Sequence, residues 1–198
     1  KYLKPKNKEI YEKFPCGCDT LGRDGPLWIT EGAFDYLSLE QAGACVLATL
    51  GASFGKDALN FVLSVAKTKP KVILAYDMDG AGREFTRKFA QHLFSHRIPF
   101  EVASWPAEYK DVSEFMATGW GLKNFTLTSG LQAICEQTTD IDEFKNFAGE
   151  AVPLFKAKRI FKNTDTLEAE LDLYDFGEKK INNPVYNLTV QNGKQVFY

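Results

Sequence analysis

The chain has 198 residues, an ordinary globular composition and a formal net charge of -2 at pH 7. That length can bury a substantial core, while the charge gives no bulk attraction to nucleic acid or anionic membrane, so polyanion binding has to come from local basic patches. No signal peptide opens the sequence and no apolar run is long enough to cross a bilayer, and Cys16, Cys18, Cys45 and Cys135 fit a reducing compartment better than a disulfide framework.

Residues 1–26, rich in Lys, Pro and Gly, read as an irregular opening segment with at most one short strand. Cys16-Gly17-Cys18 has half the spacing of a zinc knuckle, but a structural zinc site needs four ligands, and His92 and His96 lie on a helix far along the chain. The pair is read as plain loop. A short strand over 27–30 ends at Glu31-Gly32, and 34–42 has helical spacing with Phe34, Leu37 and Leu39 as its apolar positions. A strand over 45–48 runs into Gly51-Ala52-Ser53, and 56–67 is helical, with Leu59, Phe61, Val62, Leu63 and Val65 on the buried side. A strand over 72–76 follows, then a helix over 81–95 with Phe85, Phe89 and Leu93 on one face, a strand over 100–105 and a helix over 112–118. Strand and helix alternate, which predicts an α/β fold with a parallel sheet covered by helices on both faces.

After Gly121 the pattern changes. Residues 122–136 and 141–147 look helical; 155–162, 167–173, 185–190 and 195–198 look like strands, the last two joined across Asn192-Gly193 as a hairpin. The expected organisation is an irregular segment over 1–26, a catalytic α/β domain over 27–119, and a C-terminal α+β, β-rich appendage over 120–198. Because the chain starts at Lys1 and stops at Tyr198 inside a predicted strand, it reads as a piece of something longer.

The chemistry is concentrated where Val72-Ile73-Leu74-Ala75-Tyr76 gives way to Asp77-Met78-Asp79-Gly80-Ala81-Gly82-Arg83. A buried strand ends there, and residues two apart in an extended chain share a face, so Asp77 and Asp79 can project toward one point. Ligands of parallel sheets gather at the carboxyl ends of the strands, and Glu31 and Asp111 fall at such ends as well. Carboxylates crowded into one crevice destabilise a fold unless a cation neutralises them, and hard oxygen ligands suit Mg2+ or Mn2+. The duller reading has Asp77 and Asp79 merely capping the next helix, Glu31 as a solvated strand-end residue, Asp35 on a solvated helix face and Asp111 as the N-cap of the helix after it; for Asp111, capping and metal binding can coexist.

Three look-alikes fail. Gly51 to Asp57 has one residue too few between its glycines for a P-loop, and Asp57 stands where a Ser or Thr belongs. A calcium loop starting at Asp77 would need a bidentate acid where Lys88 stands. A haloacid-dehalogenase phosphatase would need Thr at Ala81, and leaves Glu31 unexplained.

Ile29-Thr30-Glu31-Gly32-x-x-Asp35-x-Leu37-Ser38, then Leu50-Gly51, then Asp77-Met78-Asp79-x-Ala81-Gly82-Arg83, then Lys110-Asp111-x-x-Glu114 resembles the Toprim domain of replicative primases. Phage-type primase-helicases and their mitochondrial relative are most similar in order and spacing, with bacterial primases next. The resemblance implies that Glu31, Asp77 and Asp79 hold Mg2+ or Mn2+, that Asp35 and Asp111 complete or support that site, and that Arg83, Lys110 and Lys56 contact nucleotide or nucleic-acid phosphates. It also implies a single-stranded DNA template, nucleoside triphosphates, a replicative helicase in cis or in trans, no membrane, and a cytoplasmic place at the replisome or nucleoid. Bacterial primases carry another Asp where Ser113 stands, and a basic lobe ahead of Toprim where this sequence has only residues 1–26, so independent primer synthesis is not expected. A Toprim nuclease and a non-catalytic DNA or replisome docking module are the alternatives. The run Lys156, Lys158, Arg159, Lys162 with its aromatics has the composition of a single-strand track, but reads better as a lysine-guarded edge strand paired with the acidic strand after it.

Overall fold

The computed structural model describes residues 15–51, 55–130 and 133, and the backbone of 155–162, 166–173, 186–191 and 194–197. The chain divides into two compact units at Thr128/Ser129.

The first unit is built from β1 (Leu27–Thr30), α1 (Ala33–Gln41), β2 (Cys45–Ala48), α2 (Lys56–Ala66), β3 (Val72–Ala75), α3 (Gly80–Ser95), β4 (Phe100–Ser104), α4 (Val112–Ala117) and β5 (Thr126–Ser129). Leu-Trp-Ile-Thr, Cys-Val-Leu-Ala and Val-Ile-Leu-Ala are buried at every position, as strands covered on both faces must be. They lie in one five-stranded sheet of order β2-β1-β3-β4-β5. β1 pairs in parallel with β2 and β3, Thr30 standing opposite Ala48 and Ala75, and β3 pairs in parallel with β4. The fold is thus α/β with a mostly parallel sheet and flanking helices.

Alternate residues serve the two faces. Trp28, Val46, Ala48, Ile73, Ala75, Ala103 and Trp105 meet Tyr36 and Leu39 of α1 and Val112 and Phe115 of α4 in one core cluster. Leu74 and Tyr76 face the other way, and Tyr76 meets Phe85 of α3 edge to face at 4.6 Å. Along α3, Phe85, Phe89 and Leu93 recur every fourth residue and are all buried.

Three expectations are corrected here. The predicted helix over 122–136 is interrupted: Leu122–Asn124 is a single 3-10 turn and Thr126–Ser129 is β5, added to the sheet beside β4. An edge strand needs no apolar run, so its Thr-Leu-Thr-Ser letters carry little strand signal. On α1 the buried side is Asp35, Tyr36 and Leu39, with Phe34 and Leu37 exposed. On α2 the fully buried residues are Ala58, Val62, Leu63 and Ala66, leaving Leu59, Phe61 and Val65 half-buried.

Of the opening segment, residues 1–14 lie outside the described residues; Cys16 makes an isolated antiparallel bridge to Ala48, and Cys18–Thr20 is a 3-10 turn. Among the described residues Cys16, Cys18 and Cys45 are free thiols, and no helix is long and apolar enough to cross a membrane.

The second unit holds an antiparallel sheet of order β6 (Phe155–Lys162), β7 (Thr166–Leu173), β8 (Tyr186–Gln191) and β9 (Lys194–Phe197). The pair Gln191–Lys194 closes the predicted hairpin. The predicted helix over 141–147 lies outside the described residues. A register shift between Ala157 and Arg159 sets Lys156 opposite Asp172 and Arg159 opposite Glu170. Without that extra residue Arg159 would stand opposite Ala169, on the side of β7 that carries its leucines. Register thus places Lys156 and Arg159 across from acidic positions of β7, while Lys162 stands opposite Leu167.

Candidate metal centre

The strand order reverses direction at β1: the chain steps from β1 to β2 on one side, then crosses to β3 on the other. In open α/β sheets such a switch point opens a crevice outside the carboxyl ends of the two strands, here β1 and β3. Glu31 is the first residue beyond β1 and Asp77 the second beyond β3, and Thr30 pairs with Ala75. Neighbouring strands lie about 4.8 Å apart, so the register alone brings these two acids to the same spot.

The acids at this edge also act on one another through their charges. Burial pushes the Asp77 carboxyl up to about 6, and Glu31, Asp111 and Asp79 each push it further, with Lys110 opposing them. Four carboxylates and one lysine therefore share a field at this edge. The N-termini of α1, α2 and α3 also lie at this edge, and their partial positive charge offsets some of the repulsion.

The acids are held in different ways. Asp79 is the N-cap of α3, its Oδ1 accepting the Gly82 amide at 2.8 Å. Asp111 is the N-cap of α4, its Oδ1 accepting the Glu114 amide at 2.8 Å and the Ser113 hydroxyl at 2.7 Å. Asp35, expected as a ligand or on a solvated face, is buried; its two oxygens accept the amides of Gly32 at 3.1 Å and Ser113 at 3.0 Å. Burial pushes its carboxyl up to about 7, with Asp111 and Asp77 adding to the rise and the Ser113 and Gly32 amides opposing it. Tyr76 is buried beneath this edge; burial holds its phenol well above its ordinary value. Among the described residues its buried hydroxyl has no hydrogen-bond partner; Thr49 opposes the rise and the charge of Glu31 adds to it.

The basic residues are less closely gathered. Lys110 is exposed and acts on Asp77, while its own amide donates to Glu114 at 2.8 Å. Arg83 lies exposed on the first turn of α3, its guanidinium donating to the Met78 carbonyl. Lys56 is exposed at the start of α2, at the same edge of the sheet.

An all-oxygen set at a switch point fits Mg2+ or Mn2+. Among the described residues no three His, Cys, Asp or Glu side chains already form a ligand cage, so holding an ion requires their side chains to turn inward. Sequence reasoning undervalued Ser113, noted there only as a missing Asp, and read Gly82 only as a turn residue. A Cβ on Gly82 would lie 2.0 Å from the Asp77 carbonyl oxygen.

A family model described as Toprim-like matches residues 28–116. A DNA primase of Mycoplasma pneumoniae is 36% identical over 96 residues, 47% of this chain and 16% of that protein. The chain therefore spans a small part of the curated relative it matches. The primase fragment of the bacteriophage T7 primase-helicase protein is 29% identical, covering 50% of this chain and 42% of that one at a TM-score of 0.40. A DNA primase domain from Pseudomonas aeruginosa is 16% identical, covering 67% of this chain and 44% of that one at a TM-score of 0.52, a likeness of fold.

Proposed function

We propose that this chain, which carries a Toprim-like domain related to DNA primases, supplies the divalent-metal centre for template-directed synthesis of RNA primers. The observation that carries the reading is the convergence of Glu31, Asp79 and Asp111 on Asp77 at the switch point. Glu31, Asp77 and Asp79 would hold Mg2+ or Mn2+, with Asp111 beside them. When bound, such ions lower the pKa of an attacking 3′-hydroxyl and stabilise a leaving pyrophosphate. Lys110, Arg83 and Lys56 bind phosphates of the incoming nucleotide or the template, so that the residues of this chain mainly position the reactants and neutralise charge. Single-stranded DNA and nucleoside triphosphates are the proposed substrates, with a replicative helicase on the same or a separate polypeptide.

The test is one assay with two readouts. The full reading frame containing this chain is given Mg2+, single-stranded DNA and labelled ribonucleoside triphosphates, and primer products and template cleavage are both measured. Primer synthesis that is lost in Asp79→Ala is the expected result. Cleavage without incorporation would select a nuclease, and full biological function retained in both Asp77→Ala and Asp79→Ala would leave only docking. A smaller effect is expected at the rim: Lys110→Ala should raise the KM for nucleotide about 2- to 5-fold, an exposed-charge effect that shrinks as salt rises.

A further inference from the structure

Asp35 joins two loops that are far apart in the chain. Its Oδ2 accepts the amide of Gly32, the residue after Glu31, and its Oδ1 accepts the amide of Ser113, 78 positions away and two residues past Asp111. Ser113 passes the connection on, since its hydroxyl donates to Asp111 Oδ1 at 2.7 Å. A carboxylate held through one oxygen presents the other. Asp35 itself is only 5% exposed, which leaves little room for a cation that keeps several of its waters, as Mg2+ does. The Gly32 position is shaped to the same contact: a Cβ there would lie 2.6 Å from Asp35 Oδ2.

We propose that Asp35 and Ser113 form a clamp that fixes the Asp111 loop against the Glu31 turn, making Asp35 a positioning residue of the metal centre and not one of its ligands. The inference rests on the metal-binding reading above and refines it. Ser113, standing where bacterial primases have an acid, contributes a hydroxyl that orients Asp111 in place of a further carboxylate. Outer partners of this kind commonly change metal affinity by about 10- to 100-fold when removed.

The test is Mn2+ binding to the full chain, followed by electron paramagnetic resonance, with a thermal melt of each variant as the check on folding. Ser113→Ala and Asp35→Asn should each weaken binding by about 10-fold, and Ser113→Thr, which keeps the hydroxyl, should bind close to wild type. In an Asp111→Asn background, Asp35→Asn should add little, because its effect runs through the Asp111 loop. A full additional loss in that background marks Asp35 as a ligand and overturns the clamp, as does wild-type affinity in Ser113→Ala, a half-exposed change that keeps the proposal testable if Asp35→Asn does not fold. Wild-type protein that binds no Mn2+ overturns the metal reading and the clamp with it, an outcome distinct from the other two.

Discussion

Gly82→Ala is expected to lower stability by about 1–3 kcal/mol, the range for forcing an extra methyl into packed structure, and to weaken Mn2+ binding sharply. Gly82 is buried on the first turn of α3, where that helix comes down on the Asp77 peptide. An added Cβ would meet the Asp77 carbonyl oxygen at 2.0 Å, its carbonyl carbon at 2.8 Å and its nitrogen at 3.0 Å, all backbone atoms that cannot rotate away. Relief requires α3 to lift, and lifting it pulls the Gly82 amide from Asp79 Oδ1. One methyl group thus disturbs two of the proposed ligands without touching a carboxylate. Gly80→Ala is the control, because a Cβ there meets nothing within 4 Å; it should be neutral or stabilising by up to about 1 kcal/mol. Thermal melts and Mn2+ titrations of the two variants check the contrast, and wild-type behaviour in Gly82→Ala would remove close packing as the reason for the glycine.

β1, β2 and β3 were legible because burial on both faces forces short uninterrupted apolar runs, and Glu31 and Asp77 stood out because they follow such runs at the ends of β1 and β3; β5, an edge strand without an apolar run, was not. α3 was legible because Phe85, Phe89 and Leu93 repeat at helical spacing on an otherwise polar segment. α1 was not, since its letters offer apolar residues on more than one side. What decides its orientation is Asp35, buried against backbone amides, and Tyr36, whose hydroxyl donates to Asp19 at 3.1 Å. A backbone amide leaves no mark in a sequence, so a carboxylate that serves one cannot be told from a carboxylate that awaits a metal. The same limit hid the clamp, whose two halves are 78 positions apart and meet only in the fold. Lys56 and Arg83 show the converse: both stand at the right edge of the sheet by topology, while the lysine that acts on Asp77 is Lys110, on the loop before α4.

Asp77→Asn should separate function from stability most clearly. Removing a carboxylate that would hold the ion is expected to cut primer synthesis by about 10²- to 10³-fold, since metal stabilisation of charge in the transition state is worth several kcal/mol. The metal-free protein should move the other way. Asp77 is raised from 3.8 to about 6 on folding, so the folded state holds its proton more tightly than the unfolded chain does. Its penalty is absent below about pH 4, where both states are protonated, grows as pH rises toward 6, and is complete above that. At pH 8 without metal, Asp77→Asn should therefore be more stable than wild type by about 1–2 kcal/mol, roughly half the unscreened value because the carboxyl is only half-buried. Saturating Mn2+ should invert the order, because a ligand at about 100 times its Kd stabilises the wild type by roughly 2.7 kcal/mol while the variant gains little. Melting curves at pH 4 and pH 8, with Mn2+ and with chelator, check each arm. If Asp77→Asn were the less stable protein in chelator at pH 8, the carboxylates would not be repelling one another, and the case for a cation to neutralise them would fall.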